Sequence, residues 1–165
     1  EEEGKSLTAL EIAHTFQTMG MKTLLIDANL IHPKQHHYLK LPNSQGLFEI
    51  LEHRLRFEAG IQTKVYDQVD IVCAGLTQTA DSSLLDTERF EELLNYYKND
   101  YQLIVLDLPA LKYCNNPAQF INYTDHFVIV FNPHLHTMEH LKLVKYYFSL
   151  IRKKCLGYLF RYQPS

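Results

Sequence analysis

The feature that most constrains the fold is a series of short apolar runs separated by helical patterns. Mainly apolar runs occupy 22–27, 69–73, 103–107, 127–131 and 156–160. Apolar residues recur at helical spacing at 9–19, 90–97 and 138–151, and a short helix is predicted after Gly46. Strands that are apolar on both faces and separated by helices predict an α/β fold, with a mostly parallel sheet and helices on both faces.

Two of the predicted strands end in an acid, Asp27 and Asp107. Ligands of open α/β sheets bind at the carboxyl ends of the strands. We therefore expect the two carboxylates to lie close together, near the start of the first helix. Either acid alone is equally consistent with a cap on the following helix.

Composition and charge exclude some classes of function. The 165 residues suffice for one domain, 1–165, and the net charge is −3. This balance offers no basic face for nucleic acid, so we expect no nucleic-acid partner. The three cysteines are far apart and include no CxxC pair, which argues against a disulfide framework and favours a reducing cytoplasm.

A phosphate-binding motif opens the chain. Gly4-Lys5-Ser6 is the second half of a Walker A loop, and a helical pattern follows at once. Backbone N–H groups at a helix start bind phosphate, and the helix dipole favours the anion. The full motif needs a strand and a further glycine upstream of Glu1, so we expect the chain to be a segment of a longer protein.

The order of the motifs resembles the cytoplasmic domain of bacterial tyrosine kinases, which belong with the MinD and ParA ATPases. That family has EGKS at the loop, then a Walker A′ motif LLIDADLRRP, a GL segment, an AG, a leucine pair before a helix, and YDxxIxDxPP. The matching segments are Glu3 to Ser6, Leu24 to Pro33, Gly46-Leu47, Ala74-Gly75, Leu84-Leu85 and Tyr101 to Ala110, followed by Asp125.

The resemblance implies a P-loop domain that binds ATP or ADP with Mg²⁺ and transfers phosphate to tyrosine in exopolysaccharide or capsule synthesis. Carried over, Gly4, Lys5 and Ser6 bind the nucleotide. Lys5, Asp27 and Asp107 are catalytic, and Ser6, Asp27 and Asp107 hold the metal. The implied partner is a membrane chain-length-determinant protein or a fused transmembrane segment, with the domain at the inner face of the cell membrane. Self-association into a homo-oligomer is left open.

Several positions depart from the family pattern. Asn29 replaces the second acid of Walker A′, and Leu7 replaces the usual threonine after the loop. Phosphoryl transfer depends on positioning and electrostatics, so these losses predict weak or absent kinase activity. The other departures are Ile31 and His32 for a basic pair, Ala110 for a proline, Arg161 for an adenine-reading asparagine, and the acids Glu1 and Glu2 beside the loop.

Two other functions remain open at this point. The chain could be an interaction module that has kept the fold and lost nucleotide binding. It could also be a positioning ATPase of the MinD or ParA type, although the segment 74–94 favours the kinase branch. Nucleotide binding separates the first alternative from the kinase hypothesis.

Overall fold

The computed structural model of the chain describes residues 4–77, 83–85, 87–113, 120, 123–131, 142, 146, 149 and 155–160. The helices are α1 (Lys5–Thr18), α2 (Gln35–Leu39), α3 (Leu47–Leu51) and α4 (Glu88–Tyr97). The strands are β1 (Thr23–Asp27), β2 (Ile61–Tyr66), β3 (Val69–Val72), β4 (Leu103–Asp107), β5 (Phe127–Phe131) and β6 (Cys155–Phe160).

Four of the strands form a sheet in the order β2-β3-β1-β4. The central strand β1 is parallel to both of its neighbours, β3 and β4. Strands β5 and β6 form a separate parallel pair. The prediction of a mostly parallel sheet is therefore confirmed, with the antiparallel edge strand β2 as its exception.

The side chains of β1 alternate between two apolar layers. Leu24 and Ile26 belong to a buried cluster that includes α3 and α4. Leu25 faces the opposite layer, where it packs with Ala9 and Ala13 of α1. Helices thus cover both faces of the sheet, as predicted, because Leu24, Leu25 and Ile26 are buried and need apolar neighbours on both sides of it.

The sequence patterns missed β2. Its residues are only half-buried or exposed, so they lack the apolar character of the central strands. A tight turn connects it to β3, and Asp67 and Gln68 adopt φ values of 44° and 73° there. Positive φ at both central residues is typical of a two-residue hairpin turn.

The remaining described residues add a helix cap and part of a predicted helix. Thr87 caps α4 by accepting a hydrogen bond from the backbone N–H of Phe90. Of the helix predicted at 138–151, only Lys142, Tyr146 and Ser149 are described, and each is helical. Among all described residues, no helix has the length and apolar character needed to cross a membrane.

Candidate phosphate and metal site

The phosphate-loop residues form the start of α1. Gly4 is its N-cap with φ 76°, a left-handed conformation that glycine adopts without steric cost. Lys5 and Ser6 follow in the first turn, which contains no acidic residue, and Ser6 is buried. Gly4 has no side chain with which to cap this N-terminus. The helix dipole and the Lys5 ammonium therefore both favour an anion at this position.

Asp27 and Asp107 lie side by side at the ends of β1 and β4. They are paired in register across the two parallel strands, and both are essentially inaccessible to solvent. The two oxygens of Asp27 accept hydrogen bonds from the backbone N–H groups of Asn29, Lys34 and Gln35. The expectation that the two carboxylates converge near the start of α1 is confirmed, whereas their assigned roles remain predictions.

Burial sets the protonation of this pair. Desolvation, followed by the charge of Asp107, raises the pKa of Asp27 to about 8. Burial also raises the pKa of Asp107, while the Ser6 hydroxyl, the Gln35 amide and the charge of Lys5 act in the opposite direction. Ionising both of two adjacent buried carboxylates is unfavourable in free energy. The pair is therefore stabilised by a proton or by a cation between the strands.

Gln35 links the first turn of α1 to the acid pair, and no sequence pattern predicted this role. Its Nε2 donates to Asp107 Oδ2 at 2.9 Å and to the Ser6 carbonyl oxygen at 2.7 Å. The side chain is completely buried. Gln35 lies in a polar segment eight residues after Asp27, where no periodic pattern marks it. The signal that reveals its role is the burial of a polar side chain. That burial is set by the tertiary fold and cannot be read from the sequence.

The residues that depart from the family pattern lie in different environments. Asn29 Oδ1 accepts a hydrogen bond from the backbone N–H of His32 at 3.1 Å, so its carboxamide stabilises the turn after β1. Leu7 packs against the apolar cluster between α1 and the sheet. His32 has its ring edge-on to that of Tyr113. Arg161, Glu1 and Glu2 lie outside the described residues.

A second polar cluster holds the loop that follows β3. The Glu49 carboxylate accepts hydrogen bonds from the backbone N–H groups of Gly46 and Leu76. Asn43 exchanges two hydrogen bonds with the backbone of Gly75. A Cβ on Gly46 would collide with the carbonyl oxygen of Cys73, so only glycine fits this approach. These contacts fix the third strand end at the same edge of the sheet as Asp27.

The residues at this edge suit a magnesium ion. A hydroxyl and two carboxylates are the hard oxygen ligands that Mg²⁺ prefers. Asp107 Oδ1 is buried and has no hydrogen-bond partner among the described residues, so it retains an acceptor site for a cation or its bound water. The start of α1, which favours an anion, therefore lies beside a pair of acids suited to a cation.

Comparisons with known proteins show which proteins this chain resembles. No protein-family model matches the chain. It is 26% identical to the putative tyrosine-protein kinase CapB of Staphylococcus aureus, over 98% of this chain and 71% of CapB. It is 28% identical to the tyrosine-protein kinase YwqD of Bacillus subtilis (strain 168), over 94% of this chain and 65% of YwqD.

Longer relatives and solved structures agree with these matches. The chain is 29% identical to the putative tyrosine-protein kinase EpsB of Ralstonia solanacearum, over 66% of this chain and only 14% of EpsB. The crystal structure of the chimerical protein CapA2B2 superposes with a TM-score of 0.85 at 26% identity, covering 100% of this chain and 73% of that one. The septum site-determining protein MinD complexed with Mg-ADP, from Pyrococcus horikoshii OT3, has a TM-score of 0.76 at 20% identity, over 100% of this chain and 68% of MinD.

The chain shares the fold of MinD, with Gly4-Lys5-Ser6 at the start of α1. In sequence, it is similar to proteins named tyrosine-protein kinases. It spans about two thirds of the shorter relatives and about a seventh of EpsB.

Proposed function

We propose that this chain is an ATP-binding, tyrosine-kinase-like domain that acts in bacterial exopolysaccharide or capsule synthesis and chain-length control. Lys5 and the first turn of α1 bind the phosphates of ATP or ADP. Ser6, Asp27 and Asp107 hold Mg²⁺, which neutralises phosphate charge when it is bound. Asp27 accepts the proton of the tyrosine hydroxyl when phosphate is transferred.

One observation carries the nucleotide part of this proposal. Asp107 keeps a buried oxygen without a hydrogen-bond partner among the described residues, directly beside a second buried carboxylate, Asp27. Such a pair is costly unless a proton or a cation compensates it. Lys5 is close enough for its charge to lower the pKa of Asp107, so anion-binding and cation-binding groups share one site.

We propose further that catalysis is weak. The neutral carboxamide of Asn29 stands where the family motif has an acid, which removes one negative charge from the neighbourhood of Asp27. Leu7 packs into the apolar cluster and offers no hydroxyl to the phosphates. Binding of Mg-nucleotide depends on Lys5, Ser6 and the acid pair, and these residues are intact.

The polymer pathway and the partner are proposed from the relatives. One relative is a putative tyrosine-protein kinase in the cps region of Klebsiella pneumoniae. The matched segment makes up most of CapB and only a small part of EpsB, so the same domain occurs in short and in long polypeptides. We propose that this chain acts at the inner face of the cell membrane, on a chain-length-determinant protein or as a segment fused to one.

The test of nucleotide binding is thermal melting of the full-length protein with Mg-ADP and with Mg-ATP. A ligand at about 100 times its dissociation constant stabilises a fold by roughly 2.7 kcal/mol. For a domain of this size, that corresponds to a shift of roughly 5 to 10 °C. The shift should vanish in Lys5→Ala and persist in Lys98→Ala, which removes an exposed lysine at the end of α4. No shift at millimolar nucleotide would favour the non-catalytic interaction module.

A phosphotyrosine assay on the same protein tests catalysis. We expect slow or undetectable phosphorylation in the wild type. Asn29→Asp should increase the rate, because it restores a negative charge beside the proposed metal site. Brisk phosphorylation by the wild type would show that the substitutions at Leu7 and Asn29 do not impair the site.

A further inference from the structure

We propose that Gln35 is a positioning residue of the cation site, which orients Asp107 through one amide N–H and accepts a hydrogen bond from a metal-bound water at Oε1. This inference rests on the proposed function, because it assumes that Ser6, Asp27 and Asp107 hold Mg²⁺. It assigns a role to a residue outside the Walker motifs.

Gln35 contacts all three proposed metal-binding residues. Its Nε2 donates both hydrogens, to Asp107 Oδ2 and to the carbonyl oxygen of Ser6. Its backbone N–H donates to Asp27 Oδ2 at 3.0 Å. One residue at the start of α2 therefore links the first turn of α1 to the ends of β1 and β4.

The orientation of the Gln35 amide follows from its partners. A rotated amide would place Oε1 against the Ser6 carbonyl oxygen and the Asp107 carboxylate, and all three groups are acceptors. With Nε2 in that position, Oε1 is left buried and has no hydrogen-bond partner among the described residues. The side chain has no exposed surface, so bulk water does not supply the missing donor.

Among the described residues, the hydrogen-bonded pair of Gln35 and Asp107 thus carries two acceptors without a hydrogen-bond partner, Oε1 and Oδ1. An occupant that satisfies both must supply positive charge, hydrogen-bond donors, or the two together. A hydrated Mg²⁺ does both, since it binds carboxylates directly and keeps several of its waters. Groups that hydrogen-bond the ligands or waters of a metal in this way strongly affect its affinity.

A purely structural role makes a different prediction. If Gln35 only ties α2 to α1, its loss lowers stability and leaves the affinity for Mg²⁺ unchanged. The two roles are separated by two variants that both lose the donors and differ in whether they keep the acceptor. Gln35→Leu removes both, whereas Gln35→Glu loses the donors and keeps an acceptor oxygen at the same distance from the backbone.

The experiment measures the melting temperature of the full-length protein, first in EDTA and then in saturating ADP with increasing MgCl₂. Gln35→Leu should raise the Mg²⁺ concentration at half-maximal shift by about tenfold or more. Gln35→Glu should melt lower than wild type in EDTA, because it adds a third carboxylate beside Asp27 and Asp107. In Mg²⁺ the melting temperature of Gln35→Glu should recover to that of wild type. Its half-maximal Mg²⁺ concentration should be no higher than that of wild type.

Gln17→Leu is the matched control. In the wild type, the Gln17 side chain accepts a hydrogen bond from the backbone N–H of Thr23, at the opposite end of β1. The substitution should lower the melting temperature and leave the Mg²⁺ midpoint unchanged. If Gln35→Leu does not fold in EDTA, Gln35→Asn replaces it, because its shorter amide cannot make the same contact with Asp107.

The possible failures are distinguishable. A wild type that shows no response to Mg²⁺ and ADP refutes the proposed site, and the role of Gln35 falls with it. A wild type that responds, with Gln35→Leu at the same Mg²⁺ midpoint, overturns the Gln35 inference alone. Equal increases of the midpoint in Gln35→Leu and Gln35→Glu would also overturn it, because the retained acceptor would then have no effect.

Discussion

The Asp27→Asn variant should be more stable than the wild type near pH 8 when no metal is present. Asp27 is fully buried beside Asp107, and its pKa is raised to about 8, first by desolvation and then by the charge of Asp107. An asparagine oxygen can still accept from the backbone N–H groups of Lys34 and Gln35. The substitution therefore removes an ionisable group and keeps its main structural contacts.

The sign of the effect follows from proton binding. Between the unfolded pKa of an aspartate, about 4, and the folded value, the native state holds a proton that the unfolded state releases. The free energy of unfolding of the wild type therefore falls as the pH rises through this range. Each pH unit corresponds to about 1.4 kcal/mol, so from pH 5 to pH 8 the loss is about 3 to 4 kcal/mol. Asp27→Asn does not undergo this loss.

The assay is urea unfolding in EDTA at the two pH values, followed by circular dichroism because the chain contains no tryptophan. The stability difference between Asp27→Asn and the wild type should grow by about 3 to 4 kcal/mol from pH 5 to pH 8, equivalent to roughly 10 °C in melting temperature. Asp100→Asn, at an exposed position, is the control and should show no such growth. A pH-independent difference for Asp27→Asn would refute the argument.

Two further predictions concern residues away from the metal site. Tyr101→Phe should destabilise the domain by about 2 kcal/mol in urea unfolding, because the Tyr101 hydroxyl donates to the buried carboxylate of Asp70 at 2.7 Å. The exposed Tyr38→Phe is its control, and equal effects of the two variants would contradict this account. Iodoacetamide should alkylate Cys155 well before Cys73 in the native protein, because Cys73 is buried and desolvation is the main reason that its pKa rises to about 12. Peptide mass spectrometry measures both alkylation rates, and equal rates at the two cysteines would contradict this expectation.

The local pattern of the sequence was enough to predict the central architecture. Continuous apolar runs identified β1, β3 and β4, because parallel strands covered on both faces have no polar side. The acids that end β1 and β4 were expected to converge, since parallel strands present their carboxyl ends at one edge of the sheet. Gly4-Lys5-Ser6 marked the start of α1 because a phosphate loop leads directly into a helix.

Only the tertiary structure decided how these parts meet. The strand order and the register that sets Asp27 opposite Asp107 depend on packing between segments that are distant in sequence. The edge strand β2 and the turn at Asp67 lack a strong local pattern, so the hairpin was not predicted. Gln35 is the clearest case: its residue type is common on surfaces, and its burial between α1 and β4 arises from contacts 29 and 72 residues away. Periodicity records which face of an element is buried, whereas a polar contact across the site exists only after those elements have packed together.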